Sequence, residues 1–474
     1  MSQGFSVISV GNIEFISPYE IKDLVDLRIE KKINDHVRLY IKGIIPEEKK
    51  DSYVEKATSK DIIEVKQTDE NSSVKSLFKG VITNIEIKAV RGIFYMELEG
   101  VSCTYNMDIK LRKRSFQNKD MLYTALAKKV IEDYSGADFI DIAAKSKKIE
   151  KFIIQYNESD WEFLIRMASH FNTGLVPDCT SDKPKFWFGI PEGASKGDFK
   201  EANYISSRRI EDFRVSSENY ISGIDAKDYT YYEIETDMFL DIGDKVSINN
   251  ISFTVCECIF DIHKCVLRHY YKVSLEKGLG KNLITNKKVF RASVEGKVID
   301  VEKDNVRIHL EIDKEQKKEE AFWFPYTTFY TAEGSTGWYC MPELDDYVKL
   351  YFPTDREEAA VVMNSIRKRT KGGDKIDKPD VKYFRTKHKK EQMFNEKELV
   401  MSAEDGKVLI KLNEDKGIEF YSDKEIKIKA DKDIIMDAEN IDLKAADRID
   451  MVCNASSIKM DGTTHISGTI VKVR

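Results

Sequence analysis

The chain has 474 residues and a net charge of −6, with 33% charged and 11% aromatic residues. This length suits about three domains, and the aromatic content argues against disorder. An acidic chain is a poor candidate for general binding to nucleic acids or anionic membranes, which favour basic surfaces. Seven cysteines, an odd number in a long chain, indicate folding in a reducing cytoplasm rather than a disulfide framework.

The amino terminus has no positive segment followed by an apolar run, so we expect no signal peptide. No stretch reaches the ~18 apolar residues of a membrane-spanning helix. We therefore expect assembly in the cytoplasm and, for any export, a route other than the general one.

Residues 1–285 are predicted to be mostly β-strand with two helical inserts. Apolar and polar residues alternate, as in half-buried strands, at Val37–Gly43, Phe78–Ile87 and Ile93–Val101. The first helix is predicted at Lys119–Tyr134, where apolar residues recur at helical spacing.

The second helix has a clearer start, because Ser159 and Glu162 form a capping box in which each side chain bonds the other's backbone N–H. An apolar stripe follows at Trp161, Leu164, Ile165, Ala168 and Phe171, and we interpret it as core packing.

Residues 286–366 are predicted to form a small barrel of the OB type with five short strands. A strand pair spans Ala292–Ile312 around a turn at Lys303–Asn305, and the aromatic run Phe322–Tyr326 follows. After a turn-rich segment at residues 333–337, further strands are predicted near Tyr347–Phe352 and Ala359–Met363. Residues 367–400 are highly charged and are predicted to be a connector, too short and polar for a catalytic domain.

Residues 401–474 contain a repeated unit of apolar, polar and apolar residues, whose leading aliphatic residue recurs every seven to nine positions. Alternation places two side chains of each short strand on one face. The twelve predicted inward residues, hereafter the shaft residues, are Ile418, Phe420, Ile426, Ile428, Ile434, Met436, Ile441, Leu443, Ile449, Met451, Ile458 and Met460. The repeat fades through Ile466–Gly468.

A single ribbon of such strands would leave its apolar face and both edges open to water. Three chains around a threefold axis would bury that face, so the repeat predicts a homotrimeric β-prism, or β-helix, shaft of about 35 Å. The alternative is a single-chain β-solenoid, whose rungs usually run ~18–25 residues with glycine-rich corners.

Candidate reactive residues have simpler interpretations. Zinc could be ligated by the group Cys256, Cys258, His263 and Cys265. A hairpin of two strands with buried thiols accounts for these residues better. Three copies of His465 could converge on an axis, yet the sequence offers one histidine per chain there. The Gly372–Gly373 pair lacks the phosphate-binding pattern. The aromatic run of the barrel has mixed or acidic flanks, so no nucleic acid is expected to bind there. We also expect no cofactor and no metal.

The order of these parts resembles the VgrG family of contractile injection system spikes, found in type VI secretion and related phage-derived particles. The most specific match is Tyr156–Arg166, before and within the second helix. The other matching segments are Ile33–His36, Leu77–Thr83, Arg114–Gln117, Trp338, Met341–Asp346, Val348, Phe352, Ala360–Val362 and Arg385–His388. Asp345 stands where the family usually has glycine.

The resemblance implies a mainly β fold: two β-barrel hub domains with helical inserts (1–285), an OB barrel (286–366), the connector (367–400) and a trimeric shaft (401–474). It also implies a structural role without catalysis, in which the trimer caps an inner tube at a baseplate and is delivered by the machine through a target membrane. A PAAR-like tip protein would bind the shaft end. Because no toxin domain follows the shaft, any effector is expected to be separate cargo.

Two other functions remain open at this point. A tailspike-like enzyme acting on cell-wall or capsule polysaccharide would need carboxylates in a groove between shaft subunits, and release of sugar would reveal it. An adhesive trimeric fibre would bind glycans through its hub.

Overall fold

The structure is a computed structural model, and it describes residues 8–68, 73–199, 203–331, 336–368, 375, 378–460, 462–467, 469, 470 and 472. It divides into two compact units, Met1–Lys368 and Arg369–Arg474. Strands dominate both units, and the described residues contain four α-helices. The expected mainly β fold is therefore confirmed.

The helices are α1 (Ser52–Lys56), α2 (Tyr123–Ile131), α3 (Asp160–Ser169) and α4 (Ile210–Asn219). The strands of the first unit are β1 (Ile13–Ile16), β2 (Asp23–Lys32), β3 (Arg38–Ile44), β4 (Ile62–Thr68), β5 (Val74–Val90), β6 (Ile93–Ser102), β7 (Arg112–Phe116), β8 (Asp138–Asp141), β9 (Ile153–Glu158), β10 (Leu175–Pro177), β11 (Lys185–Phe188), β12 (Ser195–Asp198), β13 (Tyr204–Arg208), β14 (Thr230–Thr236), β15 (Lys245–Ile248), β16 (Ile251–His263), β17 (Val266–Ser274), β18 (Ser293–Glu302), β19 (Asn305–Leu310), β20 (Trp323–Pro325), β21 (Tyr347–Tyr351) and β22 (Val361–Ile366).

Twelve of these strands form one large sheet in the order β1-β4-β5-β6-β3-β2-β16-β17-β14-β13, with β15 beside β16 and β12 beside β15. The antiparallel pair β2 and β16 joins the early strands to strands more than 200 residues later, through the register Arg28↔Asp261 to Lys32↔Glu257. One apolar core, containing Leu27, Ile41 and Phe260, lies under both halves.

The segment between these halves carries α2, α3 and two small sheets, β7-β9 and β10-β11-β8. It has its own core around Leu126, Trp161 and Phe163. The capping box at α3 is confirmed: the Ser159 hydroxyl accepts from the Glu162 N–H at 3.0 Å, and the Glu162 carboxylate accepts from the Ser159 N–H at 3.0 Å. The predicted stripe packs into this core as expected.

The helix prediction was incomplete. Helix α2 is shorter than the predicted Lys119–Tyr134, because Leu122 is extended and pairs with Lys148 before the helix begins. Helices α1 and α4 were missed. Helix α1 has only five residues, and α4 buries Ser216 alone, so neither has an apolar stripe to reveal it.

The five-stranded antiparallel sheet β20-β19-β18-β21-β22 confirms the strands predicted for residues 286–366. Strands β18 and β19 flank the predicted turn, and Glu302 pairs with Asn305 across it. The core of this sheet includes Val298, Ile308 and Leu350. Of the turn-rich segment at 333–337, residues 333–335 lie outside the described residues.

The second unit contains β23 (Lys382–Arg385), β24 (Lys390–Phe394), β25 (Glu398–Ala403), β26 (Val408–Asn413), β27 (Gly417–Ser422), β28 (Ile449–Cys453), β29 (Ser456–Met460) and β30 (Thr464–Ser467). Strands β23 to β27 form an antiparallel meander in chain order, and β28 to β30 form a second one. No strand is assigned between Ser422 and Ile449.

Two features differ from the expectation for this region. Strands β23, β24 and part of β25 lie in the segment predicted to be a connector, because short apolar stretches such as Tyr383-Phe384 alternate with its charges. The units Ile449–Met451 and Ile458–Met460 pair as an antiparallel hairpin within one chain. The predicted boundary between the connector and the shaft, at residues 400 and 401, falls inside β25. The domain division as a whole stays a prediction.

Candidate functional site: the apolar faces of the second unit

The sheet β23–β27 has one strongly apolar face. Directly paired residues lie on the same face of an antiparallel sheet. The pairings Met401↔Ile410 and Ile410↔Phe420 therefore align three apolar side chains in one row across the strands. Leu412 lies between Leu399 and Ile418 in the neighbouring row. The face is apolar over three consecutive strands.

This face is open to solvent in the single chain. Ile418 and Phe420 are each 65% exposed, an unusual state for large apolar side chains on regular strands. The other members of the face that are exposed are Phe384, Phe394, Met401, Val408, Ile410 and Leu412. An uncovered sheet face of this kind is unfavourable in water.

The opposite face of the same sheet is mixed, with ion pairs beside apolar residues such as Val400, which pairs with Lys411, and Leu409, which pairs with Tyr421. The Glu391 carboxylate lies 2.8 Å from Arg385 and 2.8 Å from Lys375, and Lys411 pairs with Glu419 at 3.2 Å. These ion pairs thus lie on the face opposite Met401, Ile410 and Phe420.

The shaft residues are exposed in the same way. Ten of the twelve are exposed, and the remaining two, Ile449 and Met460, are partly buried. Ile428 reaches 77% exposure. Around the hairpin, Met451 pairs with Ile458 and Ile458 with Ile466, so this small sheet also carries an apolar row. The inward direction of the shaft residues stays a prediction.

Sequence reasoning missed the upstream part of this surface. Leu399, Met401, Val408, Ile410 and Leu412 precede the first predicted unit. The signal was present, since Leu399–Met401 and Val408–Leu412 show the same alternation. Leu399 was overlooked because it lies in the predicted connector, and the other four because they lie in the predicted shaft segment ahead of its first repeated unit.

A second feature fixes the OB segment onto the preceding part of the first unit. Arg166 of α3 is 2% exposed and lies 2.8 Å from Glu158 and 3.0 Å from Glu357, which precedes β22. Glu357 also accepts a hydrogen bond from the Ile154 N–H at 2.9 Å. Burial raises the pKa of the Glu357 carboxyl, an effect that the Arg166 guanidinium opposes.

Aromatic packing reinforces this junction. The ring of Phe152, next to β9, packs against Phe322, Phe324 and Phe352 of the OB segment. Nearby, Gln117 donates to the Ile308 carbonyl at 3.1 Å and accepts from the Phe322 N–H at 3.1 Å. The OB segment and the preceding residues around Phe152 and Ile154 therefore share one core cluster and a buried polar network.

The candidate metal cluster is dispersed over a hairpin. Strands β16 and β17 pair as predicted, and Cys256 is the extra residue of a bulge between Val255 and Glu257. Cys258 is buried, whereas Cys265 is exposed at the turn. Burial raises the pKa of the Cys256 thiol to about 12. Over the residues that the structure describes, no group of three or more His, Cys, Asp or Glu side chains could hold a metal.

The remaining candidates contribute no cluster. The ring of His465 lies 2.9 Å from the Thr463 hydroxyl. Gly372 and Gly373 lie outside the described residues. In the described part of the chain, no helix is long and apolar enough to span a bilayer.

Two histidines make stability pH-dependent. Burial lowers the pKa of His269 to about 4 and, aided by Lys151 and Arg166, that of His170 to about 3. Both values lie below the ~6.5 of an unfolded histidine, so protons bind the unfolded chain first. The stabilisation that these neutral histidines provide is therefore fully present above pH ~6.5. The free energy of unfolding falls on acidification toward pH 4, by up to ~1.4 kcal/mol per pH unit for each histidine.

The variant His269→Leu tests this expectation. The His269 Nε2 atom is buried without a hydrogen-bond partner in the described structure, so protonation there is costly. Unfolding free energies from urea titrations at pH 7 and pH 5 should differ less in the variant than in the parent chain. An equal difference in both proteins would contradict the assignment to His269.

Comparison with known proteins agrees with this architecture. Residues 294–366 match the family model of the type VI secretion system/phage-baseplate injector OB domain. No curated protein shows significant sequence similarity to the chain. The OB segment thus resembles the injector OB domain of type VI secretion systems and phage baseplates.

Solved structures share the fold over most of the chain. One is the E. coli c3393 protein, a type VI secretion component described as similar to the T4 bacteriophage tail proteins gp27 and gp5. It has 12% sequence identity and a TM-score of 0.53, and the match covers 75% of this chain and 99% of that chain. The half-lidded Francisella PdpA-VgrG complex has 11% identity and a TM-score of 0.55, covering 88% of each chain. The resemblance to VgrG-type spike and hub proteins is therefore confirmed in the OB domain and in the fold.

Proposed function

We propose that the chain is the trimeric hub-and-spike protein of a contractile injection machine and acts mechanically, without catalysis. The observation that carries this proposal is the open apolar surface of the second unit, which extends from β23 to β30. An injector OB domain and a hub-like fold precede that surface in the same chain.

Burial by two further copies accounts for this surface. A rotation of 120° about one axis presents the same face of each chain to its neighbours, which closes the assembly. Inter-chain strands would also bond the backbone of residues 423–448, to which no strand is assigned within the chain. The resulting shaft is stiff because its strands are held by other chains.

The hub and shaft have separate partners in this proposal. The hub trimer caps the inner tube and contacts baseplate proteins, while the shaft end carries a PAAR-like tip protein, with effectors as separate cargo. The trimer assembles in the cytoplasm, and contraction drives it through the target membrane. Nucleic acid has no part in this action.

Location within the particle tests the function. Contractile particles purified from producing cells should contain the protein at one end of the inner tube, visible by gold labelling of an epitope-tagged chain in electron micrographs. Label distributed along the sheath, or protein absent from particles that contain sheath and tube, would contradict the proposal.

Substitutions in the shaft test the predicted inward face. Ile428→Asp and Ile441→Asp should each bring three carboxylates together near the axis, and unpaired buried charge costs several kcal/mol. We expect the parent chain to run as a detergent-resistant trimer on unheated denaturing gels and each variant to lose that band. The matched control is Ile435→Asp, at the middle position of its unit, where the side chain is 85% exposed and predicted to face outward. If Ile435→Asp disrupts the trimer and Ile428→Asp does not, the assigned face is wrong.

A further inference from the structure

Four neighbouring strands of the large sheet, β13, β14, β17 and β16, form a groove of about 340 Å³ in the first unit. This volume lies within the range of about 300–1,000 Å³ that is usual for small-molecule sites. Glu233, Lys272 and Glu257 pair in direct register across three of the strands and line the groove. Their neighbours in the chain, such as Tyr271, belong to the apolar core on the other side of the sheet.

One part of the lining is a tyrosine ring beside an aliphatic side chain. Tyr270 and Ile259 are direct cross-strand partners, and both are partly exposed in the groove. Burial, together with the nearby Glu235, raises the pKa of the Tyr270 hydroxyl, so the hydroxyl stays protonated. Such a ring offers an apolar surface for stacking and one hydroxyl for hydrogen bonding.

The carboxylates of the lining all have cationic partners. The pairs are Glu233–Lys272 at 3.5 Å, Glu235–Arg268 at 3.8 Å and Glu257–Lys32 at 3.3 Å. The side chains of Glu233 and Glu235 are still 53% and 46% exposed, so their oxygens can accept further hydrogen bonds. Among the described lining residues, the groove thus presents donors and acceptors without an excess of either charge.

This chemistry selects a class of ligand. One face of a pyranose ring carries C–H groups that pack on an aromatic ring, and its hydroxyls both donate and accept hydrogen bonds. A cationic ligand would meet Lys272 and Arg268 beside each glutamate, and an anionic ligand would meet the glutamates themselves. Like charges placed together disfavour both. A neutral oligosaccharide meets neither penalty.

We propose that the groove binds a neutral oligosaccharide, with one pyranose ring stacked on Tyr270 and its hydroxyls bonded to Glu233 and Glu235. The lining side chains stand on regular strands and are held by ion pairs, so little conformational entropy is lost on binding. The site lies within the first unit and does not depend on the trimer. It therefore adds a binding activity that the proposed function does not contain.

Saturation-transfer difference NMR on the full-length chain tests this site with three neutral probes, maltohexaose, cellohexaose and chitohexaose. At least one probe should bind with a Kd in the millimolar range or tighter. Tyr270→Leu should weaken that binding roughly tenfold, which corresponds to about 1.4 kcal/mol. Tyr270→Phe keeps the ring and should retain most of the affinity. Should Tyr270→Leu fail to fold, Glu235→Ala leaves the ring in place and should still weaken binding severalfold.

The matched control is Tyr40→Leu. Tyr40 is a partly exposed tyrosine on the same face of the sheet, since it pairs with Arg28 and Arg28 pairs with Asp261, and it lies outside the groove. This variant should bind the probe like the parent chain.

Three results would overturn the proposal. The first is that none of the three probes binds, and the second is that binding is unchanged in both Tyr270→Leu and Glu235→Ala. The third is that an oligolysine peptide binds in place of the sugars and is released by added salt, since screening weakens contacts between charges. A chain that proves to be monomeric would contradict the proposed function and leave this test unaffected.

Discussion

The double variant Ile410→Asp/Phe420→Asp should elute as a single chain, whereas the parent protein elutes as a trimer. The two side chains are cross-strand partners on the apolar face of β26 and β27. In a trimer, the substitutions place six carboxylates in an apolar interior, at a cost of about 3 kcal/mol or more for each chain. Size-exclusion chromatography with light scattering measures the result directly.

A neighbouring position provides the control. Tyr421 follows Phe420 in β27 and faces the opposite side of the sheet, where it pairs with Leu409 and is 48% exposed. Tyr421→Asp should remain trimeric with nearly unchanged thermal stability. If Tyr421→Asp dissociates the protein and the double variant does not, the face that carries Tyr421 and Leu409 is the one that is covered.

The variant Arg166→Met should strongly destabilise the first unit. It leaves Glu158 and Glu357 buried without their cation, which typically costs about 3–5 kcal/mol. Denaturant unfolding at fixed protein concentration, followed by tryptophan fluorescence, should show a lower midpoint. Adding Glu357→Gln should restore part of the loss because one stranded charge is removed.

The comparison for this variant is a surface pair. Lys151 and Glu358 lie 2.8 Å apart at the same junction, with side chains 29% and 52% exposed. Lys151→Met should cost about 1 kcal/mol or less, because solvent screens an exposed pair. Equal losses of unfolding free energy for Arg166→Met and Lys151→Met would mean that the buried network does not hold the OB segment on the rest of the first unit.

Local patterns in the sequence predicted the features that depend on neighbours in the chain. Ser159 and Glu162 lie three residues apart, so the capping box and α3 could be predicted from spacing alone. The turn between β18 and β19 was likewise predicted from adjacent residues, Lys303–Asn305. The eight-residue repeat likewise indicated an apolar face, because alternation assigns side chains to faces without knowledge of the partner strand.

The features that sequence reasoning missed depend on distant partners. Glu357 and Arg166 are 191 residues apart, and neither residue stands out among the many charges of this chain. The pairing of Arg28 with Asp261 is equally remote. The alternation around Met401 and Ile410 was visible in the sequence, but their pairing on one face is given only by the register.

The central claim is that two further copies of the chain cover the apolar face of the second unit. Native mass spectrometry of the full-length chain at low protein concentration tests it most directly. The account predicts a dominant species of three chains that survives dilution. A dominant single chain, folded and soluble with Ile418 and Phe420 uncovered, would contradict it.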